Sequence, residues 1–422
     1  MKTFLKNPSF HLFLLAGLAM AIPVYRSFAN AFIIISFVVG LFLIYQNKSG
    51  LRILLRSIIA LPVFFYLYLL INGLTGYDYD FLWKQLNKNL LFVLIPFSVL
   101  MLYKDFFYTK ILRLFTYSLF TITSVLLLHN LIKFIKGADS SVFYFHEFTE
   151  LIGEHAVYFS LYLSLGILIC MDQIQKQTYI RVNALMILIF SLGLWFSASK
   201  AIILATLALV IFYLISQSGI SFKKAAIGLS VLVVFGISIA TNPFLKQRFI
   251  EGFTYDINFE PTDKLENARV FTSAEIDEIS DLELRVILGK ISTYHLVKDQ
   301  NLMFGYGLSD YQDYLDYYYM YYGLAPFHYE GYSPHNQYIT TLVSSGLVGL
   351  FIFLLYIGYS FYRGFIKGHY LYLSFLILFC FAMVFETYLL RAKGIIFFFF
   401  FNSFFLIHNA QNTKDEDSNI RK

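Results

Sequence analysis

The stretch Ser333-Pro334-His335-Asn336-Gln337-Tyr338 closes a long polar segment and opens an apolar one. Ser333 can cap a helix, and Pro334 fits a first helical turn, where no backbone N–H is missed. His335 then stands at the positive end of that helix, where an anion is favoured. A neutral imidazole can take a proton near neutral pH, and the helix N-terminus disfavours its charged form. The bland alternative is an interfacial histidine hydrogen-bonded to a neighbouring loop. Further on, Gly346-Leu347-Val348-Gly349 puts small residues where another helix can approach closely.

Other ionisable groups compete for attention. Glu386 falls inside an expected span, where a carboxylate is costly unless paired, and Arg391 is its expected partner. Arg56 sits near a span end and can snorkel. His146, Glu147, Glu150, Glu154 and His155 are close in sequence, but their spacing matches no standard ligand set, so no metal is expected. Gly305-Tyr306-Gly307 follows no strand and lacks a Gly-Lys-Ser/Thr, so it is not read as a nucleotide loop. Cys170 and Cys380 are the only cysteines, both in apolar runs, which leaves no disulfide framework.

The elements that must position these groups are membrane spans. Of 422 residues, 58% are hydrophobic and 14% charged, which excludes an ordinary soluble domain. Apolar runs fall at 8–25, 28–45, 53–72, 86–103, 111–135, 156–171, 183–198, 200–215, 225–241, 337–362, 369–389 and 394–408. The expected fold is an all-α polytopic membrane protein with about 12 transmembrane helices and one large periplasmic loop containing helices. The first apolar run leads into further spans, so no cleaved leader is expected. Lys2, Lys6, Lys48, Arg52, Lys104, Lys110, Arg113, Lys176, Arg181, Lys223, Lys224, Arg363 and Lys367 fall on alternate connections, which places both termini inside. The organisation read from this is an N-terminal bundle over 1–241, a periplasmic loop over 242–334, C-terminal helices over 335–410 and a polar, disordered cytoplasmic tail over 411–422. The loop holds 15 of the 27 acidic residues and a tyrosine-rich run, Tyr311 to Tyr322. Those rings suit sugar stacking or a membrane-interface belt equally. No internal repeat is evident.

His335-Asn336, a nine-residue spacer and Gly346-Leu347-Val348-Gly349 resemble a pattern of the O-antigen ligase family, which shares its C-terminal core with O-antigen polymerases. The helix-forming run from Arg285 into Gly305-Tyr306-Gly307 resembles that family's arginine helix and glycine turn. Ser197-Ala198-Ser199-Lys200-Ala201 resembles its small-Ser-Arg-small motif, with Lys200 where arginine is usual. Gly289 stands where an aromatic residue is common. The resemblance covers about 183–400.

What the resemblance implies is a metal-independent membrane glycosyltransferase without a cofactor. It would move a glycan from undecaprenyl diphosphate to a lipid A-core hydroxyl at the periplasmic face of the bacterial inner membrane. His335 would be the general base. Arg285 and Lys200 would hold the diphosphate, the arginine through paired hydrogen bonds and the lysine as a point charge. Asn336, Tyr338, Arg391 and His155 are accessory candidates, and Lys393 and Arg26 are read as span-end anchors. The competing readings are an O-antigen polymerase, a protein O-glycosyltransferase with the same donor, and a lipid or glycan transporter. The transporter would need more intramembrane charge than Glu386 and Arg56 supply.

Overall fold

The computed structural model describes residues 2–46, 57–218 and 257–420. Within them the chain is all helical, with no strand. The helices that build the bundle are α1 Pro8–Ala21, α2 Arg26–Gln46, α3 Ser57–Gly73, α4 Tyr79–Asn89, α5 Leu91–Leu102, α6 Tyr108–Ile135, α7 Ala156–Gln175, α8 Ile180–Ser197 and α9 Lys200–Ser218. Within the polar segment lie α10 Asp281–Lys298 and α11 Tyr311–Tyr321, and after it come α12 Gln337–Ile366, α13 Tyr370–Phe385 and α14 Ala392–Ile420.

Among the described residues, seven stretches are long and apolar enough to cross a membrane, α4 and α5 forming one of them together. Four shorter apolar helices, α1, α3, α9 and α13, stand at other expected positions. The expected run at 225–241 lies outside the described residues, as do Lys48, Arg52, Arg56, Lys223 and Lys224. The backbone of α14 stays helical to Ile420, into the tail expected to lack structure. No glycine or proline follows Gly394 to stop it.

Position in the bundle follows sequence. In α7 and α14, 83% of the most apolar window is buried, against 33% in α2 and α8. Both central helices are apolar around their whole circumference, and α14 presents Phe397 to Phe401 without interruption. Hydroxyls pin neighbouring helices where hydrocarbon offers no water. Ser160 and Ser197 pair at 2.7 Å, as do Ser164 and Thr206 at 2.6 Å.

Helix ends fall into two groups. At one end, Asn72 and the Tyr77–Asp78 amides meet the polar segment at Phe304, Leu308 and Asp310. The starts of α7 and α14 join there through Lys393 and Glu154, 2.6 Å apart. At the other end, Tyr103 bonds His408, Tyr108 bonds His369, and Lys176 donates to Asp172.

α12 departs from the continuous helix expected of it. Gly346 takes φ 66° and ψ −172°, breaking the helix nine residues after it begins. The turn before α11 fills the break. Tyr306 N–H donates to Val343 O at 2.8 Å, while Leu347 N–H and Val348 N–H donate to Leu302 O and Met303 O. Tyr68 Oη donates to Ser345 O at 2.7 Å. A broken helix at membrane depth is tolerated only when its freed groups are satisfied in this way. The glycines are reciprocal. A β-carbon at Gly346 would collide with Met303 O, and one at Gly305 would lie 2.6 Å from Ser345 N. Gly346 was expected as a helix-packing residue, but its conformation is one that L side chains rarely adopt.

Candidate functional site

α12 starts at Gln337, and its cap is Asn336, whose Oδ1 accepts from Tyr338 N and Ile339 N at 2.9 and 3.1 Å. The expected cap at Ser333 is therefore corrected. Ser333 Oγ instead pairs with Thr387 Oγ1 at 3.0 Å. Asparagine and serine are near equals as caps. The decision falls to His335, whose φ of +49° cannot belong to a helical turn. A left-handed non-glycine residue costs on the order of 1 kcal/mol or more and persists only where its surroundings hold it.

The held imidazole meets Glu386. His335 Nδ1 and Glu386 Oε1 lie 3.4 Å apart, within ion-pair range but outside hydrogen-bond alignment. α13 ends at Phe385, so Glu386 is not within a span as expected, and its contacts are His335 and the Thr387 N–H rather than Arg391. Burial pushes the Glu386 carboxyl up. The His335 contact and charge, the Thr387 N–H and the charge of Arg285 outweigh burial and bring it down to about 2. Such a carboxylate can orient an imidazole and stabilise the imidazolium formed when it takes a proton.

Arg285 approaches from α10. Ser280 and Glu283 cap that helix reciprocally, which fixes the first turn, just ahead of the arginine. Arg285 Nε donates to Phe385 O at 3.1 Å, and Nη1 donates to Asp281 O at 2.6 Å. It therefore binds no carboxylate of Asp281 or Glu283, and Nη2 has no partner among the described residues. Gly289 explains the close seating of α10 on α12, since a β-carbon there would sit 3.3 Å from Ile339 Cδ1.

Other anticipated residues take separate places. Tyr338 Oη donates to Cys380 O at 3.0 Å, tying α12 to α13. Gln337, not anticipated, accepts from Leu389 N at 2.8 Å and so holds the chain just past Glu386. Lys200 opens α9 after the left-handed Ala198 and then Ser199, at the bundle end where Ser197 meets Ser160. His155 caps α7, its Nδ1 accepting from Val157 N at 3.3 Å. Burial, then His146, lowers its pKa to about 4, and the charges of Glu386, Arg391 and His335 also reach it. The neighbouring acids are engaged elsewhere, Glu150 with Lys133 and Glu147 with Ser141.

The candidate-site residue that sequence reasoning set aside is Glu386. Its signal was present, an acid in an apolar neighbourhood, but its partner lies 51 positions away and could not be named.

Fold and site together describe a multi-pass membrane protein with an imidazole, a carboxylate and a guanidinium with one open nitrogen gathered at one bundle end. Residues 185–354 match the O-antigen ligase family model, a stretch that is similar to that family. The match takes in Lys200, Arg285, the 301–307 turn, His335 and the broken helix. It supports an O-antigen ligase- or polymerase-like activity, with a lipid-linked glycan and an acceptor as the general partners. No curated protein matches the chain.

Proposed function

We propose that the protein transfers a glycan from undecaprenyl diphosphate to a hydroxyl of a lipid A-core acceptor, at the periplasmic face of the inner membrane. The observation that carries this reading is the convergence of His335, Glu386 and Arg285. The alternation of basic connections supports the sidedness.

In the reaction, His335 Nε2 accepts the proton of the acceptor hydroxyl, whose oxygen bonds to the anomeric carbon. The bond from that carbon to the diphosphate oxygen breaks, and its electron pair leaves with the lipid diphosphate. Glu386 orients the imidazole through Nδ1 and stabilises its charge once protonated. Arg285 offers its free Nη2 to the leaving diphosphate, and Lys200 adds a point charge. With cations supplied by the protein, this chemistry requires no metal.

The test is transfer by the purified chain in nanodiscs, with polyprenyl-diphosphate glycan as donor and a core saccharide on lipid as acceptor, with and without chelator. The expected result is chelator-resistant product that migrates with the acceptor. Product that forms only when a second lipid-linked glycan serves as acceptor would make the protein a polymerase. Strict dependence on a divalent ion would contradict the metal-free mechanism.

A further inference from the structure

A cavity of about 340 Å³ opens where the starts of α7 and α14 meet. That size is within the range of small-molecule sites, roughly 300–1,000 Å³. Arg26, Lys88, Arg391 and Lys393 line it, and the one acid in its wall is Glu154. The cations come from the starts of α2 and α14 and the last turn of α4, three elements far apart in sequence.

The charge in this cavity is not balanced by the protein. Glu154 Oε2 pairs with Lys393 at 2.6 Å, and that carboxylate is used there. Lys88 Nζ donates to Leu390 O at 3.1 Å, a neutral acceptor. Neither Arg26 nor Arg391 has an acidic partner among the described residues. His155, also in the wall, adds no negative charge at any pH. Tyr158 supplies an independent sign. It is 3% exposed, it lines the cavity, and its hydroxyl has no hydrogen-bond partner. A buried hydroxyl without a partner is destabilising, so a ligand that engages it gains an interaction the protein itself leaves open.

Two unpaired guanidiniums suit a tetrahedral oxyanion, which they can grip through paired hydrogen bonds. From the residues in the wall we infer that this cavity is a second oxyanion site, which binds a phosphoryl group carried by a saccharide, apart from the diphosphate grip at Arg285. That the saccharide is a substrate of transfer rests on the function proposed above; the binding itself does not.

Binding of two probes to the full chain in detergent micelles separates the possible sources of the phosphoryl group. Glucose 6-phosphate stands for a phosphorylated saccharide, farnesyl diphosphate for a lipid diphosphate, and glucose is the uncharged control. The wild type is expected to bind glucose 6-phosphate at least tenfold more tightly than glucose. Arg26→Gln with Arg391→Gln is expected to weaken glucose 6-phosphate at least tenfold and to leave farnesyl diphosphate within twofold. Unchanged glucose 6-phosphate binding in that variant overturns the inference. Equal loss of farnesyl diphosphate also overturns it, since the cavity would then belong to the donor grip. Should the double variant not fold, Arg391→Gln alone carries the test, with at least threefold weakening expected and no change overturning it. Arg285→Gln is the control for the earlier reading. If it leaves farnesyl diphosphate binding intact, the assigned donor grip fails while the cavity result stands.

Discussion

Both ends of the bundle gather histidines, tyrosines and acids, yet they use them differently. At the far end His369 and His408 are both committed. His369 bonds Tyr108 Oη at 2.9 Å through Nε2 and Asn409 Oδ1 at 2.8 Å through Nδ1. His408 bonds Tyr103 Oη at 3.0 Å and stacks on Tyr108 at 3.9 Å. At the near end His335 is held in a left-handed conformation, 24% exposed, with its nearest carboxylate 3.4 Å away and poorly aligned. Arg285 keeps one terminal nitrogen open. The lesson is that a titratable residue at a helix end says little; polarity left uncommitted, at a backbone cost, is what marks a site.

This contrast can be broken by substitution. The largest effect is expected at His335→Ala, which should lower the transfer rate by about 10²–10⁴-fold, the usual worth of a general base. Arg285→Gln should follow, at about 10²–10³-fold in turnover, if it stabilises the leaving diphosphate. Loss in KM alone would instead make it a ground-state binding residue. Both are read as initial rates in nanodiscs.

Glu386→Gln sharpens the comparison through pH. Its carboxyl is held near 2, so its contribution is complete above the ordinary value of 4.5 and fades only as pH falls from there toward 2. The variant should therefore lose a similar factor, on the order of tenfold, at about pH 6 and about pH 8. A loss confined to one side of that range would mean that Glu386 itself titrates there. The smallest catalytic effect is expected at the far end. His369→Gln should leave transfer within about twofold while lowering the melting temperature by a few degrees, from the loss of about 1 kcal/mol per hydrogen bond.

How much of this was legible follows from the physics of each signal. Span positions were readable because burial in hydrocarbon imposes composition on every residue of a helix. His335, Arg285 and the glycine pattern were readable as a local spacing. The reason for that spacing was not. Nine residues, Gln337 to Ser345, span about 14 Å, the distance from the capped start of α12 to the break where the 301–307 turn docks. That turn ties the arginine helix to the histidine helix, a contact between segments about 40 positions apart. Asn336 displaced Ser333 as the cap because the backbone at His335 is strained, and no sequence rule announces strain. The His335–Glu386 pair and the basic cavity join distant segments and needed coordinates.

The central claim is that His335 and Glu386 act as one unit in glycosyl transfer. A double-mutant cycle of His335→Gln and Glu386→Gln, measured as single-turnover transfer, tests it most directly. The prediction is that removing Glu386 from the His335 variant costs less than about twofold, although it costs on the order of tenfold in the wild type. Losses that multiply, each variant keeping its full factor in the other's background, would contradict the pairing.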